Sequence, residues 1–218
     1  MTIRQKPKKR SSQVPGQFYG YSLQITRAVA HLLRAHSGQS VCVEHLDDVS
    51  TSGSAGAILE QDKSGLAHNP VADRSIELWK TLHTWVIAIR DGALINDTKF
   101  ILFVAQNHHG SVIDRIHGVS RRSDAIDLIA ALRDEFLGTA PDRAERARLP
   151  QDLGHYVRGV LDASDEVLIQ LFLNLSLETG SGSPGEDLLP LLREKAIGEA
   201  ALEDVLTHLL GWAKRATD

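Results

Sequence analysis

Cysteine is almost absent from this chain of 218 residues, where Cys42 stands alone. One thiol cannot pair within the chain, so a disulfide framework and any Cys-rich zinc module are excluded. A reducing cytoplasm is the compartment that fits. Long apolar runs are missing as well: no window approaches the roughly 18 to 20 apolar residues that span a bilayer, and no membrane contact is expected. A positive excess is also lacking, because 24 Lys and Arg face 28 Asp and Glu for a net charge of −4. Proteins that coat duplex DNA are usually strongly basic, so any contact with nucleic acid has to be local. There is no Walker-type glycine loop, no Rossmann fingerprint and no Gly-x-Ser-x-Gly elbow, which leaves ATP hydrolysis, if the pathway needs it, to a partner.

What is present is the composition of a globular domain with a core, 42% hydrophobic and 24% charged. The first ten residues hold Arg4, Lys6, Lys8, Lys9 and Arg10. No apolar h-region follows them, so they are not a signal peptide. Without these five positive charges the net charge falls from −4 to −9. Residues 1–17, punctuated by Pro7 and Pro15, read as a basic, disordered arm, and Lys8, Lys9 and Arg10 are candidate phosphate contacts.

Periodicity then predicts a first helix with Leu23, Ile25, Val29, Leu32 and Leu33 on its apolar face, ended by Ser37-Gly38. Val41 to Leu46 reads as a strand carrying Asp47-Asp48 at its end, Ser50 to Gly56 as a hairpin loop, and Ala57 to Lys63 as the returning strand. A second helix, capped by Asp73 or Ser75, presents Ile76, Trp79, Leu82, Val86 and Ile89. Lys99 to Ala105 is a continuous apolar run, as in a strand covered on both faces. Ser123 to Phe136 is amphipathic, with Ile126, Ile129, Leu132 and Phe136 inward. Residues 138 to 150 form a connector. Leu168 to Leu177 fits a last strand or a helix, and two helices follow over about 186–195 and 199–215. The order of elements argues a mixed α/β sandwich. The final helix lacks a terminator, which is expected of the front part of a longer protein.

The chemistry concentrates in Val41 to Asp48 and Ile58 to Lys63. Side chains alternate along a strand, so Gln61 and Lys63 share one face while Glu60 and Asp62 share the other. A hairpin brings Asp47 and Asp48 beside Gln61 and Lys63, which groups an acid, a neutral oxygen donor and a lysine. Magnesium takes one or two carboxylates plus carbonyl oxygens and water, and a lysine beside it can orient the attacking water. These are the parts that metal-assisted phosphodiester hydrolysis requires.

An acid, about a dozen residues, and then Gln61-Asp62-Lys63 on an apolar strand resembles the glutamine variant of the PD-(D/E)XK, or restriction-endonuclease-like, nuclease core. The wider order is Gly20-x-x-x-Gln24, Asp47-Asp48-Val49, Gln61-Asp62-Lys63 and Arg74-Ser-x-x-Leu-Trp-Lys-Thr-Leu82. It is similar to the N-terminal nuclease domain of the double-stranded-DNA endonuclease effectors of bacterial anti-phage systems of the CBASS, Lamassu and ABC-three-component types. The resemblance covers about residues 16 to 136. It implies a restriction-endonuclease-like α/β fold, a mixed sheet flanked by helices, over residues 18–150, with a mainly helical extension over 151–218.

The resemblance also implies roles. Asp48, Gln61 and Lys63 would be catalytic, with Asp48 and Gln61 as metal ligands, Glu44 as an added ligand and Gln24 in support. Asp47 is the alternative to Asp48. The cofactor would be Mg2+, with Mn2+ as a substitute, and the substrate DNA, cut as duplex with little sequence preference. Control would come from homo-oligomerisation or from a partner such as an SMC-like ATPase or a cyclic-nucleotide sensor module. The alternative is a catalytically silent module of the same fold that docks a partner ATPase or sensor through Leu188, Leu189, Leu191, Leu192, Leu202, Val205, Leu209 and Trp212.

Weaker features remain. His108 and His109, with His117, suggest a metal site only if both histidines converge, yet neighbours on a strand diverge and no carboxylate completes a zinc set. Arg115, Arg121 and Arg122 form a basic group, of which Arg121 and Arg122 are candidate DNA contacts. Trp79 and Trp85 read as core, and Cys42 as a small buried strand residue.

Overall fold

A computed structural model describes residues 14–54, 56–94, 97–138 and 149–217, with side chains from Phe18 onward. Lys8, Lys9 and Arg10 lie outside the described residues. The first helix, α1 (Val14–Arg34), starts inside the segment expected to be an arm. Leu23, Ile25 and Val29 of the expected apolar face are buried, Leu23 against the sheet and the other two against the C-terminal helical part, whereas Leu32, expected on the same face, is 40% exposed.

Three strands follow where the sequence suggested two. They are β1 (Ser40–Val43), β2 (Val49–Gly53) and β3 (Gly56–Lys63), joined as an antiparallel meander. The segment read as a hairpin loop is mostly β2, and Asp48 stands just ahead of its first residue. Leu46 to Asp48, expected at the end of a strand, belong to the turn between β1 and β2. That turn is closed by the Glu44 amide donating to the Asp48 carbonyl at 3.0 Å. The second turn closes on the Gly53–Gly56 pair, with Gly56 at φ +124°, a conformation that glycine reaches without a Cβ penalty.

Helix α2 (Ile76–Arg90) crosses over to β4 (Lys99–Val104), which lies parallel to β3 with Gln61 opposite Leu102 and Lys63 opposite Val104. Ser75 is the N-cap of α2 and accepts from the Glu77 amide. Asp73, the other cap candidate, instead accepts from the Val112 amide at the start of α3 (Ser111–His117). Next come α4 (Arg122–Leu137), α5 (Gln151–Leu161) and α6 (Asp165–Asn174). The leucine-rich stretch divides, because α6 ends at Asn174 and β5 (Leu175–Thr179) pairs parallel to β4. Helices α7 (Leu189–Glu194) and α8 (Leu202–Thr217), each preceded by a short 3-10 turn, complete the described chain.

The sheet order is β1-β2-β3-β4-β5. Its two faces explain the apolar run of β4. Phe100, Leu102 and Val104 enter the larger core with Leu59, Trp79 and Phe172, while Phe103 and Ala105 pack on the opposite face with Leu23 of α1. Each fully buried Leu or Phe contributes about 1.5–3 kcal/mol. Helix α8 and the segment before it pack on α1 through Leu188, Leu191 and Ala213. Leu188, Leu191, Leu192 and Leu202 are therefore buried in the chain's own core, and Trp212 remains 49% exposed. The architecture is the α/β arrangement expected from the sequence: a mixed five-stranded sheet flanked by helices, with a helical C-terminal part. No helix among the described residues is long and apolar enough to cross a membrane.

Candidate metal and phosphoryl-transfer site

Asp48 is the hub of the site. Its Oδ2 accepts from the backbone amide of Asp62 at 2.8 Å and from the side-chain amide of Gln61. Its Oδ1 accepts from Gln24 Nε2 at 3.1 Å, and the same nitrogen donates to Glu44 Oε1 at 2.7 Å. Four elements of the sequence reading, Gln24, Glu44, Asp48 and Gln61, therefore meet at one point. Glu44 reaches it from the turn rather than from the strand, holding φ +55°. Non-glycine residues seldom adopt that conformation, and it costs of order 1–3 kcal/mol.

Asp47 faces elsewhere. Its Oδ2 accepts from Trp85 Nε1 at 2.6 Å and its Oδ1 from the Asp48 amide at 3.0 Å. Burial pushes its carboxyl up to about 6, against the pull of the Trp85 hydrogen bond. Trp85 is core, as expected, and Asp47 satisfies the indole N–H that burial would otherwise orphan. Lys63 shares the Gln61 face of β3. Burial depresses its ammonium, and the charge of Asp48 is the largest influence holding it up.

Glu60 and Asp62 take the opposite face, as strand alternation requires. Arg27 grips Glu60 with Nε to Oε1 at 2.6 Å and Nη2 to Oε2 at 2.7 Å, and His31 Nε2 adds a contact at 3.1 Å. Burial alone would raise the Glu60 carboxyl, but these partners hold it at about 2. Arg27 also reaches Glu178 of β5 at 2.9 Å and stacks over Phe103 with its guanidinium 3.9 Å from the ring centre. His31 Nδ1 lies 2.7 Å from Thr51 Oγ1. Both carboxyl oxygens of Asp62 are buried without a donor among the described residues. Burial, reinforced by the charge of Glu60, pushes this carboxyl well above its usual range. A protonated Asp62 is the form that can donate to Glu60, which only accepts.

Sequence reasoning missed this buried network. Its signal was a set of polar residues, Gln24, Arg27 and His31, at helical spacing on an otherwise apolar face.

The donor set suits a hard cation. Asp48, Glu44 and the side-chain oxygen of Gln61 are all oxygen ligands, and magnesium is commonly held by one or two carboxylates plus water. The amide nitrogens of Gln24 and Gln61 both point at Asp48, so its carboxylate already draws positive dipoles to the place where a cation would act. The carbonyl oxygen of Gln24 is buried without a donor among the described residues, as an oxygen awaiting an electropositive partner would be. Among the described residues no group of three or more His, Cys, Asp or Glu is arranged to hold a metal. A magnesium site here would rest on the Asp48 and Glu44 carboxylates, completed by the Gln61 side-chain oxygen and water.

Other candidates are placed apart. His108 Nε2 donates to the Gly65 carbonyl, while His109 binds Asp114 and Asn107. Arg122 pairs with Glu166 of α6, and Arg115 with Glu135. Neither Arg121 nor Arg122 lines the cleft that holds Gln61 and Lys63. Cys42 is half-buried on β1 rather than buried. No family model, no curated protein and no solved structure matches the chain.

Proposed function

We propose that this chain is a magnesium-dependent endonuclease that hydrolyses DNA phosphodiester bonds, acting on duplex with little sequence preference. The observation that carries the reading is the meeting of Asp48, Gln61 and Glu44 at the end of β3, with Lys63 half-buried on the same strand face as Gln61. Asp48 and Gln61 would hold the cation, with Glu44 beside them. When bound, it polarises the scissile phosphate and lowers the pKa of a coordinated water. Lys63 orients that water towards phosphorus and places positive charge beside the oxygen on which negative charge develops. Its depressed ammonium lies nearer the range in which a lysine can also take up a proton. The water oxygen bonds to phosphorus, the ester oxygen leaves, and a proton returns to it. Gln24 holds Asp48 and Glu44 in register from α1.

A nuclease of this kind needs restraint in its host. We therefore place it as an effector of a bacterial anti-phage system, released by self-association or by a sensor or ATPase partner. The second reading, a silent docking module, draws on the exposure of Trp212 on α8.

Plasmid cleavage at micromolar protein, with magnesium or EDTA, compares the wild type with Lys63→Ala. Metal-dependent nicking that falls by roughly 100-fold or more in the variant is the expected result. Cleavage that survives the substitution or ignores EDTA would remove this site from the chemistry. A wild type that binds DNA but leaves it intact under every metal and assembly condition would favour the docking module.

A further inference from the structure

We propose that the cleft between α1 and α2 seats one sugar–phosphate strand of DNA, with Gly20 as the wall that lets the strand approach and Lys80 as a phosphate contact. The choice of ligand rests on the nuclease reading, whereas the shape and charge of the cleft do not. Gln61 and Lys63 at the end of β3 form the floor of an open cleft of about 460 Å3, with Gly20 on one side and Glu77, Lys80 and Thr84 on the other. The reacting groups therefore lie inside a channel that a strand must enter to reach them.

Gly20 is the unusual residue in that channel. It sits in the interior of α1 (Val14–Arg34), where glycine is less favourable than alanine because it loses more backbone freedom. Two common reasons for a glycine are absent. Its φ is not positive, and a Cβ built there would meet no atom of the described residues within 4 Å. Gly110 shows the contrast, since a Cβ at that position would come within 2.0 Å of the Val71 carbonyl oxygen. Packing in the free protein explains Gly110 and does not explain Gly20. What remains is a bare stretch of helix facing the cleft, the condition for close approach by a ligand backbone.

The facing wall supplies the charge. Lys80 is exposed on α2, and its ammonium has no ion-pair partner among the described residues. The neighbouring carboxylate, Glu77, is engaged by His68 at 3.2 Å. Lys80 and Lys63 thus give the cleft two ammonium groups, one at the reacting centre and one on the wall. They stand against Asp62 and Glu77 in the same lining, on a chain whose net charge is −4. Lysines that neutralise phosphates act by releasing counterions, so their contribution appears in the salt dependence of binding.

The test uses the whole chain, with fluorescence anisotropy of a labelled DNA duplex in EDTA so that nothing is cut. Gly20→Ala is expected to melt about 2 to 4 °C above the wild type while binding DNA more weakly. Gly20→Leu, which fills the cleft, is expected to lose roughly tenfold or more in affinity with its melting temperature kept. Lys80→Gln is expected to lower the slope of log affinity against log salt by about one. Wild-type affinity and salt slope in Gly20→Leu and Lys80→Gln overturn the assignment, as does a wild type that binds no DNA. A wild type that binds but never cuts refutes the nuclease reading alone. Weaker binding by the variants would then still support the cleft.

Discussion

Asp47 and Asp48 are adjacent in sequence and have opposite fates. Asp48 collects donors from α1, β3 and the β3 backbone, while Asp47 turns to the indole of Trp85. Composition could not separate them, because the difference lies in which way a five-residue turn rotates. The Asp47 carboxyl titrates near 6 in the fold against 3.8 ordinarily, because burial favours its neutral form. The folded state therefore holds this proton more tightly than the unfolded chain. Asp47 contributes most stability below 3.8 and loses that contribution as pH rises through about 6. Thermal melts across that interval should show the wild type losing stability relative to Asp47→Asn. Parallel curves for the two proteins would contradict the burial of that carboxyl.

At the scale of elements, α1 and β3 are joined by the Arg27–Glu60 pair, and the same face of α1 delivers Gln24 to Asp48. Arg27→Met leaves the Glu60 carboxylate buried with its main partner gone, an expected loss of about 3–5 kcal/mol. Replacing both residues by apolar side chains of similar volume should restore much of that loss in a chemical denaturation series. Failure of the double variant to recover would mean that the pair is needed for more than its own charge balance. The sign with pH is opposite to that of Asp47. The Glu60 carboxyl is held at about 2 against 4.5, so its contribution is full above 4.5 and is lost as pH falls towards 2.

The same network explains which elements could be read from sequence. Helices α2 and α4 and strand β4 follow their apolar periods closely, although Ile76 and Ile126, counted on inward faces, are 43% and 45% exposed. Strand β2 was hidden because its inward positions are polar. Ser50 and Thr51 are each 3% exposed, and Thr51 is paired with His31 rather than packed in hydrocarbon. Ser-Thr-Ser-Gly reads as a loop unless its buried partners are known. The leucine alternation at 168–177 fits either period, and the chain uses both, a helix to Asn174 and then β5.

Over the whole molecule, the site is assembled from α1, the β1–β2 turn and the end of β3, all within the first 63 residues. That compactness in sequence is why spacing could group Gln61 and Lys63 with the Asp47–Asp48 pair, while the choice of Asp48 within the pair came from the resemblance. The parts that brace the site are distant: Glu178 lies 151 positions from Arg27, and no local pattern joins them. Of the basic residues that sequence offered as DNA contacts, Lys8, Lys9 and Arg10 are outside the described residues, Arg122 is committed to an ion pair, and Arg121 does not line the cleft. The chain's acidic balance leaves attraction for DNA to a few lysines at the site, so binding should be weak for one copy and stronger in an assembly.

The most direct measurement is side-by-side plasmid cleavage by Asp48→Asn and Asp47→Asn, with magnesium and equal amounts of folded protein. Asp48→Asn is expected to fall by roughly 100-fold or more, because it removes the carboxylate at the centre of the site, while Asp47→Asn stays close to the wild type. Full activity in Asp48→Asn, or loss confined to Asp47→Asn, would contradict the assignment of Asp48 as the acid that organises the chemistry.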